Sequence, residues 1–235
     1  MKVIMASTSK IYGSEYLAYL EPTLKKHFAG ADEILFIPYA RPSGITHDEY
    51  TKKATEGLAY LNAKVVGIHE KQDKIQALHD AKAIFVGGGN TFLLVTQLHE
   101  LELMDVLREV VQNGTPYLGT SAGTNICGLN MQTTNDMPII YPPSFETLGL
   151  VPFNINPHYI DADPTSKHQG ETRETRIREF QNLNKIPVVG LREGSWLNVS
   201  SSDIILEGTL KAVIFEPNKP TYEVESGSSL RTLHI

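Results

Sequence analysis

Short β-branched or apolar runs at residues 2–5, 33–38, 64–68, 82–86, 116–118 and 187–191 alternate with stretches of helical period. This alternation limits the fold more than any other feature. Strands apolar along their whole length need helices on both faces, and parallel neighbours need a crossover between them. The helical stretches are explicit. Tyr50, Ala54, Leu58 and Leu61 recur at helical spacing, and Thr46 with Glu49 has the form of a capping box. Two more stretches cover residues 90–100 and 103–112. The expectation is an α/β fold with a doubly wound, mostly parallel sheet of the flavodoxin-like kind. From residue 195 the pattern changes. Short strand-like runs at 195–199, 203–207, 211–216 and 221–225 are separated by Gly, Pro, Asn and Ser, and read as β-hairpins added to an edge or face of that core. The 235 residues suffice for one substantial core, and no linker divides them, so 1–235 reads as a single domain. Residues 158–170 and the region of Pro142-Pro143 lack a period, and long irregular loops are often functional.

Composition excludes several classes. The net charge is −6 without a long basic run, so a nucleic acid is not an expected partner. Cys127 is the only cysteine, so no intrachain disulfide can form. MKVIMASTSK turns polar after a few residues, and no later apolar run has the length of a membrane span. A cytoplasmic enzyme or binding protein is expected, with homo-oligomerisation left open.

Ligands of open parallel sheets sit at the carboxyl ends of the strands, and two glycine-bearing turns fall there. Gly87-Gly88-Gly89-Asn90 precedes a helical stretch. Alone it reads as a tight turn with Asn90 as helix cap; the functional alternative is an anion cradle of backbone N–H groups. Gly119-Thr120-Ser121-Ala122-Gly123 matches G-x-S-x-G, the turn that lifts a strained serine between a strand and a helix. Small residues two positions either side let the elements approach, and the N–H after the serine faces a developing oxyanion. A solvated turn serine is the bland alternative; the preceding apolar run favours the elbow.

A nucleophilic serine needs a base, and the base an orienting acid. Of eight histidines, His27, His69, His79, His99 and His234 lie in charged or helical contexts, and His47 lies at a helix start. His158 follows the run Asn154-Ile155-Asn156-Pro157, which places it at a strand end. Without Ser121, a core or loop histidine would be the plainer reading. Glu193 stands at the end of the 187–191 run, with Asp161 and Asp163 as competitors. His158, Asp161, Asp163 and His168 also suggest a rival metal site, although their spacing follows no standard ligand pattern. KHQGETRETRIRE, residues 167–179, reads as a solvated helix with Ile177 and Phe180 beneath it; Arg173, near its start, could hold a carboxylate through both guanidinium nitrogens.

Taken together, GGGN, GTSAG, TTNDMPI, INPH, GETRETRIRE and REGSW, in that order, closely resemble the peptidase E family of α-aspartyl dipeptidases, serine peptidases with a fold similar to class I glutamine amidotransferases. The resemblance runs from the N-terminal strand to about Trp196. It implies Ser121 as nucleophile, His158 as general base and Glu193 as orienting acid. It further implies Gly88 and Ala122 as oxyanion donors, Arg173 as receiver of the aspartyl side chain, Asn90 in the same pocket, and no cofactor. The implied substrates are Asp-X dipeptides. Thr120 stands where the family often carries Trp; in this GTSAG is closer to the related cyanophycinases, which cut β-aspartyl bonds. A β-aspartyl peptidase or esterase on this fold, a metal-dependent hydrolase and a non-catalytic anion-binding module are the competing readings. Cys127 is expected to pack on the helix after the elbow.

Overall fold

The computed structural model describes residues 1–165, 167 and 170–233. Parallel strands β1 (Lys2–Ala6), β2 (Glu33–Ile37), β3 (Lys64–Gly67), β4 (Ile84–Val86) and β5 (Tyr117–Thr120) form the body of the larger sheet in the order β3-β2-β4-β5-β1. Successive side chains point to opposite faces, and each face has its own helices. Val3, Met5, Leu35, Ile37, Ile84, Val86 and Tyr117 pack with Leu78, Leu94, Leu98 and Leu107. These leucines lie on α3 (Lys74–Asp80), α4 (Thr91–Glu100) and α5 (Met104–Gln112). On the opposite face Ile4, Ala6, Ile34, Phe36, Phe85 and Leu118 meet Leu24 of α1 (Glu21–His27) and Tyr50 and Ala54 of α2 (His47–Gly57). The expected capping box is present: the Thr46 hydroxyl accepts from Glu49 N, and the Glu49 carboxylate accepts from Thr46 N. Phe36 meets Tyr50 edge-on at a centroid distance of 4.9 Å, a geometry worth about 0.5–1.5 kcal/mol beyond the area it buries.

The second half departs from a plain doubly wound sheet. After α6 (Ala122–Asn125), strands β6 (Asn154–Pro157) and β7 (Val188–Leu191) pair in parallel, with α7 (Arg173–Leu183) between them in the chain. They do not join the larger sheet. The edge beside β1 is taken by antiparallel β8 (Ser195–Ser200), followed by β9 (Ile204–Gly208). β7 continues instead into antiparallel β10 (Ala212–Phe215) and β11 (Tyr222–Val224), giving a four-stranded sheet in the order β11-β10-β7-β6. The 187–191 run is therefore a strand, as expected, but of the second sheet. One hairpin extends the first sheet, and the other extends the second. Ile155, Val189, Leu191 and Ile214 turn one face of the smaller sheet into the main core. Val188, Val213 and Phe215 pack on the other side against Tyr159, just after β6, and against Ile177 of α7. The buried Gln181 amide, also on α7, donates to Phe215 O and Ile186 O, satisfying two carbonyls under the helix.

Candidate active site

Ser121 sits between β5 and α6 with φ 54° and ψ −110°, a conformation that costs a non-glycine residue about 1–3 kcal/mol. The neighbouring glycines explain how the strain is held. A Cβ on Gly119 would strike Gly123 O, and one on Gly123 would strike Val86 O, so strand and helix approach backbone to backbone. The buried Thr124 hydroxyl donates to Ala6 O and lies 2.9 Å from Gly119 O, and Tyr117 OH donates to Gly123 O at 2.7 Å. Gly88 lies on the other side: a Cβ there would come within 2.9 Å of Ser121 Cβ. Tyr50 OH donates to Gly88 O, which fixes that peptide. The N–H groups of Gly88 and Ala122 have no acceptor among the described residues.

His158 follows the last residue of β6, and Glu193 lies two residues beyond β7, at the ends of adjacent parallel strands. The His158 Nδ1–H group donates to Glu193 Oε1 at 2.6 Å, and Nε2 lies 2.9 Å from Ser121 Oγ. With Nδ1–H committed to the carboxylate, Nε2 is left to accept the serine proton. His158 is itself at φ 54°. The Ser7 hydroxyl bridges the two strand ends, accepting from His158 N at 2.9 Å and donating to Leu191 O at 2.6 Å. Asp161 does not compete for the ring: Arg192 binds it through Nε at 2.8 Å and Nη2 at 2.6 Å.

The cleft over Ser121 has a volume of about 280 Å³, at the lower end of ligand pockets, and is lined by Thr91, Asn125, Asp136, Pro157, His158 and Arg173 among others. Arg173 begins α7, and its guanidinium has no hydrogen bond or ion pair among the described residues. Burial and then the Arg176 charge lower its pKa, while Asp136 acts in the opposite sense. Asp136 Oδ2 accepts from Thr91 N, Thr91 Oγ1 and Thr134 Oγ1, so a fixed carboxylate stands at the start of α4 on the cleft wall. Asn90 is the N-cap of α4. Its Oδ1 accepts from Leu93 N and its Nδ2 donates to Met137 O, and the next residue, Thr91, lines the cleft.

The comparisons with known proteins agree with this architecture. The profile of peptidase family S51 matches residues 3–207. The chain belongs to peptidase family S51. This family member is 45% identical to a peptidase E of Streptomyces coelicolor over 99% of its own length and 95% of the relative's. It is 46% identical to a Drosophila melanogaster protein named probable alpha-aspartyl dipeptidase, over 94% and 92% of the two chains. The crystal structure of a peptidase from an acI-B1 Actinobacterium shares its fold at TM-score 0.72 and 18% identity, covering 97% of this chain and 96% of the other.

Of the remaining candidates of this S51 chain, those among the described residues have other partners. Asp163 caps Thr165, and His168 and His234 lie outside the described residues. No three His, Cys, Asp or Glu side chains converge to ligate a metal among the described residues. His69 pairs with Asp48, His99 meets Glu146 O and buried His27 meets Tyr117 O. The elbow helix ends at Asn125, so Cys127 lies just beyond it rather than on it; it is buried, and burial pushes its thiol up to about 12. Sequence reasoning missed Ser7 and Asp136 as parts of the site. Asp136 lies inside the quoted TTNDMPI motif, whereas a serine after β1 carries no signal of its own.

Proposed function

We propose that the protein is a serine-type dipeptidase that hydrolyses Asp-X dipeptides through an acyl-enzyme on Ser121. One observation carries the reading: the hydrogen-bonded chain Ser121–His158–Glu193 opens into the same small cleft as a guanidinium without a partner among the described residues, that of Arg173. In this mechanism Nε2 of His158 takes the Ser121 proton as Oγ attacks the aspartyl carbonyl. Glu193 stabilises the imidazolium that forms. The N–H groups of Gly88 and Ala122 receive the oxyanion, and losing one such donor typically costs about 10²–10³-fold in rate. The imidazolium protonates the departing amine, the C-terminal amino acid leaves, and a water activated by His158 releases aspartate.

Arg173 receives the aspartyl side chain. A desolvated guanidinium left without its carboxylate is costly, so Ala-X peptides are poor substrates. Asp136 supplies the opposite charge for the free α-ammonium group, which together with the small cleft favours dipeptides over proteins. Asn90 acts at one remove, holding the loop that carries Met137. The reading takes 1–235 as one peptidase domain working in the cytoplasm without a cofactor; among the described residues no helix is long and apolar enough to cross a membrane.

The test is leucine release from Asp-Leu, with wild type and Ser121→Ala compared in the presence of chelator. Wild type is expected to turn over, and the variant to lose on the order of 10⁴–10⁶-fold. Retention of most activity in the variant would remove Ser121 from the mechanism. Cleavage of β-Asp-Leu in preference to Asp-Leu would replace the α-aspartyl specificity with the β-aspartyl one.

A further inference from the structure

Among the described residues the Glu193 side chain has a single hydrogen-bond partner, His158, and it is 51% exposed. Such a carboxylate is not held by its own surroundings, so the turn that carries it must be. The residue before it, Arg192, is the most heavily bonded cation near the site, and its side chain is only 16% exposed. Nε and Nη2 form a two-pronged fork on Asp161, Nη1 donates to Lys211 O at 2.9 Å, and Nη2 also donates to Glu223 Oε1 at 2.6 Å. Its backbone carbonyl accepts from Ser195 N, closing the turn through Gly194 at φ 87°. Asp161 is the third residue after His158. Two successive residues therefore grip one short segment with opposite polarity: Glu193 takes the imidazole, and Arg192 takes the carboxylate three residues on. Between them Tyr159 N donates to Leu191 O, and the guanidinium lies 6.0 Å from the Tyr159 ring centroid.

We propose that the Arg192–Asp161 pair is a clamp that positions the His158–Glu193 couple against Ser121, and that through Lys211 and Glu223 it ties this couple to the C-terminal strands β10 and β11. This rests on the serine-hydrolase reading above. Other charges close to the clamp are Glu223, which Arg192 also binds through Nη2 alone, and Lys211 and Glu225; Lys211 pairs with both glutamates, and the two-pronged fork sets Asp161 apart from them. Arg192 and Asp161 are positioning residues: they act through the triad and touch no substrate. Their effect falls on the chemical step, because a displacement of His158 of about an ångström is enough to cost up to about 10²-fold in rate.

The experiment measures the rate at which a fluorophosphonate labels Ser121, and separately kcat and KM on Asp-Leu, for wild type, Arg192→Met, Asp161→Asn, the double variant and Asp163→Asn. The clamp requires that each clamp variant label about ten- to a hundredfold more slowly. It requires that kcat fall by a similar factor with KM nearly unchanged, that the double variant be no worse than the poorer single one, and that Asp163→Asn behave as wild type. Melting temperatures read alongside separate positioning from folding, and Arg192→Lys, which keeps the charge without the fork, should not restore the rate. Labelling at the wild-type rate by Arg192→Met or Asp161→Asn overturns the clamp while leaving the hydrolase reading intact. Multiplying losses in the double variant, or losses that follow the melting temperature, also overturn it. A wild-type protein that does not label at all overturns the hydrolase reading, and the clamp with it.

Discussion

The turn that carries Ser121 and the two strand ends that carry His158 and Glu193 meet in one cleft but are held by different forces. Around Ser121 the contacts are between backbones: Gly119 against Gly123, Gly123 against Val86, with the buried Thr124 and Tyr117 hydroxyls satisfying the carbonyls between them. Around His158 the contacts run through polar side chains: the buried Ser7 hydroxyl holds its backbone N–H from beneath, and the more exposed Glu193 stands beside the ring with the Arg192–Asp161 fork beyond. The first is rigid because moving it would need a strand or helix to shift. The second is adjustable one side chain at a time. A strained nucleophile needs the first kind of support, while specificity can be altered on the second without unfolding the protein.

Three perturbations sharpen or break this contrast. The largest effect is expected from Arg173→Met on the side-chain half: a fall of about 10²–10³-fold in kcat/KM for Asp-Leu, with fluorophosphonate labelling and melting temperature little changed. A matching loss of labelling would mean that Arg173 supports the triad and not the substrate.

Next comes acid, which should act on the backbone half. Burial, and secondarily Lys2, depresses the pKa of His27 to about 4 from the ordinary 6.5, and the ring sits against Tyr117 O of β5. Between those values the unfolded chain binds the proton and the folded chain does not. This stability is therefore whole above about pH 6.5 and is lost as pH falls towards 4, by about 3 kcal/mol in all. Urea midpoints measured across that window should decline in wild type and decline less in His27→Gln; parallel curves would exonerate His27.

The smallest effect is that of Gly123→Ala, where the new Cβ meets Val86 O. We expect about 1–3 kcal/mol of destabilisation in urea, accompanied by loss of peptidase activity. Full stability with lost activity would show that the turn can yield, and that the two halves differ less than their contacts imply.

Legibility divides along the same line. The elbow was readable because its requirements are local: small residues at fixed offsets from a serine, after an apolar run and before a helix start. The strand ends at Pro157 and Leu191 were also readable, and so was Arg173 at the start of α7. What could not be read was which of Glu193 and Asp161 accepts from His158. Both are carboxylates within reach of the same ring in sequence terms, and the choice was made by Arg192, whose fork takes Asp161. Ser7 was invisible for a similar reason. Its importance comes from bridging residues 151 and 184 positions away.

The sequence by itself determined the alternation of elements, the two faces of each strand, the glycine-lined turn at Ser121 and the family to which the chain belongs. Those depend on periodicity and short-range sterics, which are written within a few residues. Only the tertiary structure decided that β7 leaves the parallel sheet for a second one, that β8 takes its place beside β1, and that the base and its acid therefore stand on neighbouring strand ends facing a serine from the other sheet. Alternation along a strand says which side is buried but not which strand lies alongside. That pairing is settled by competition among all the edges of the folded chain.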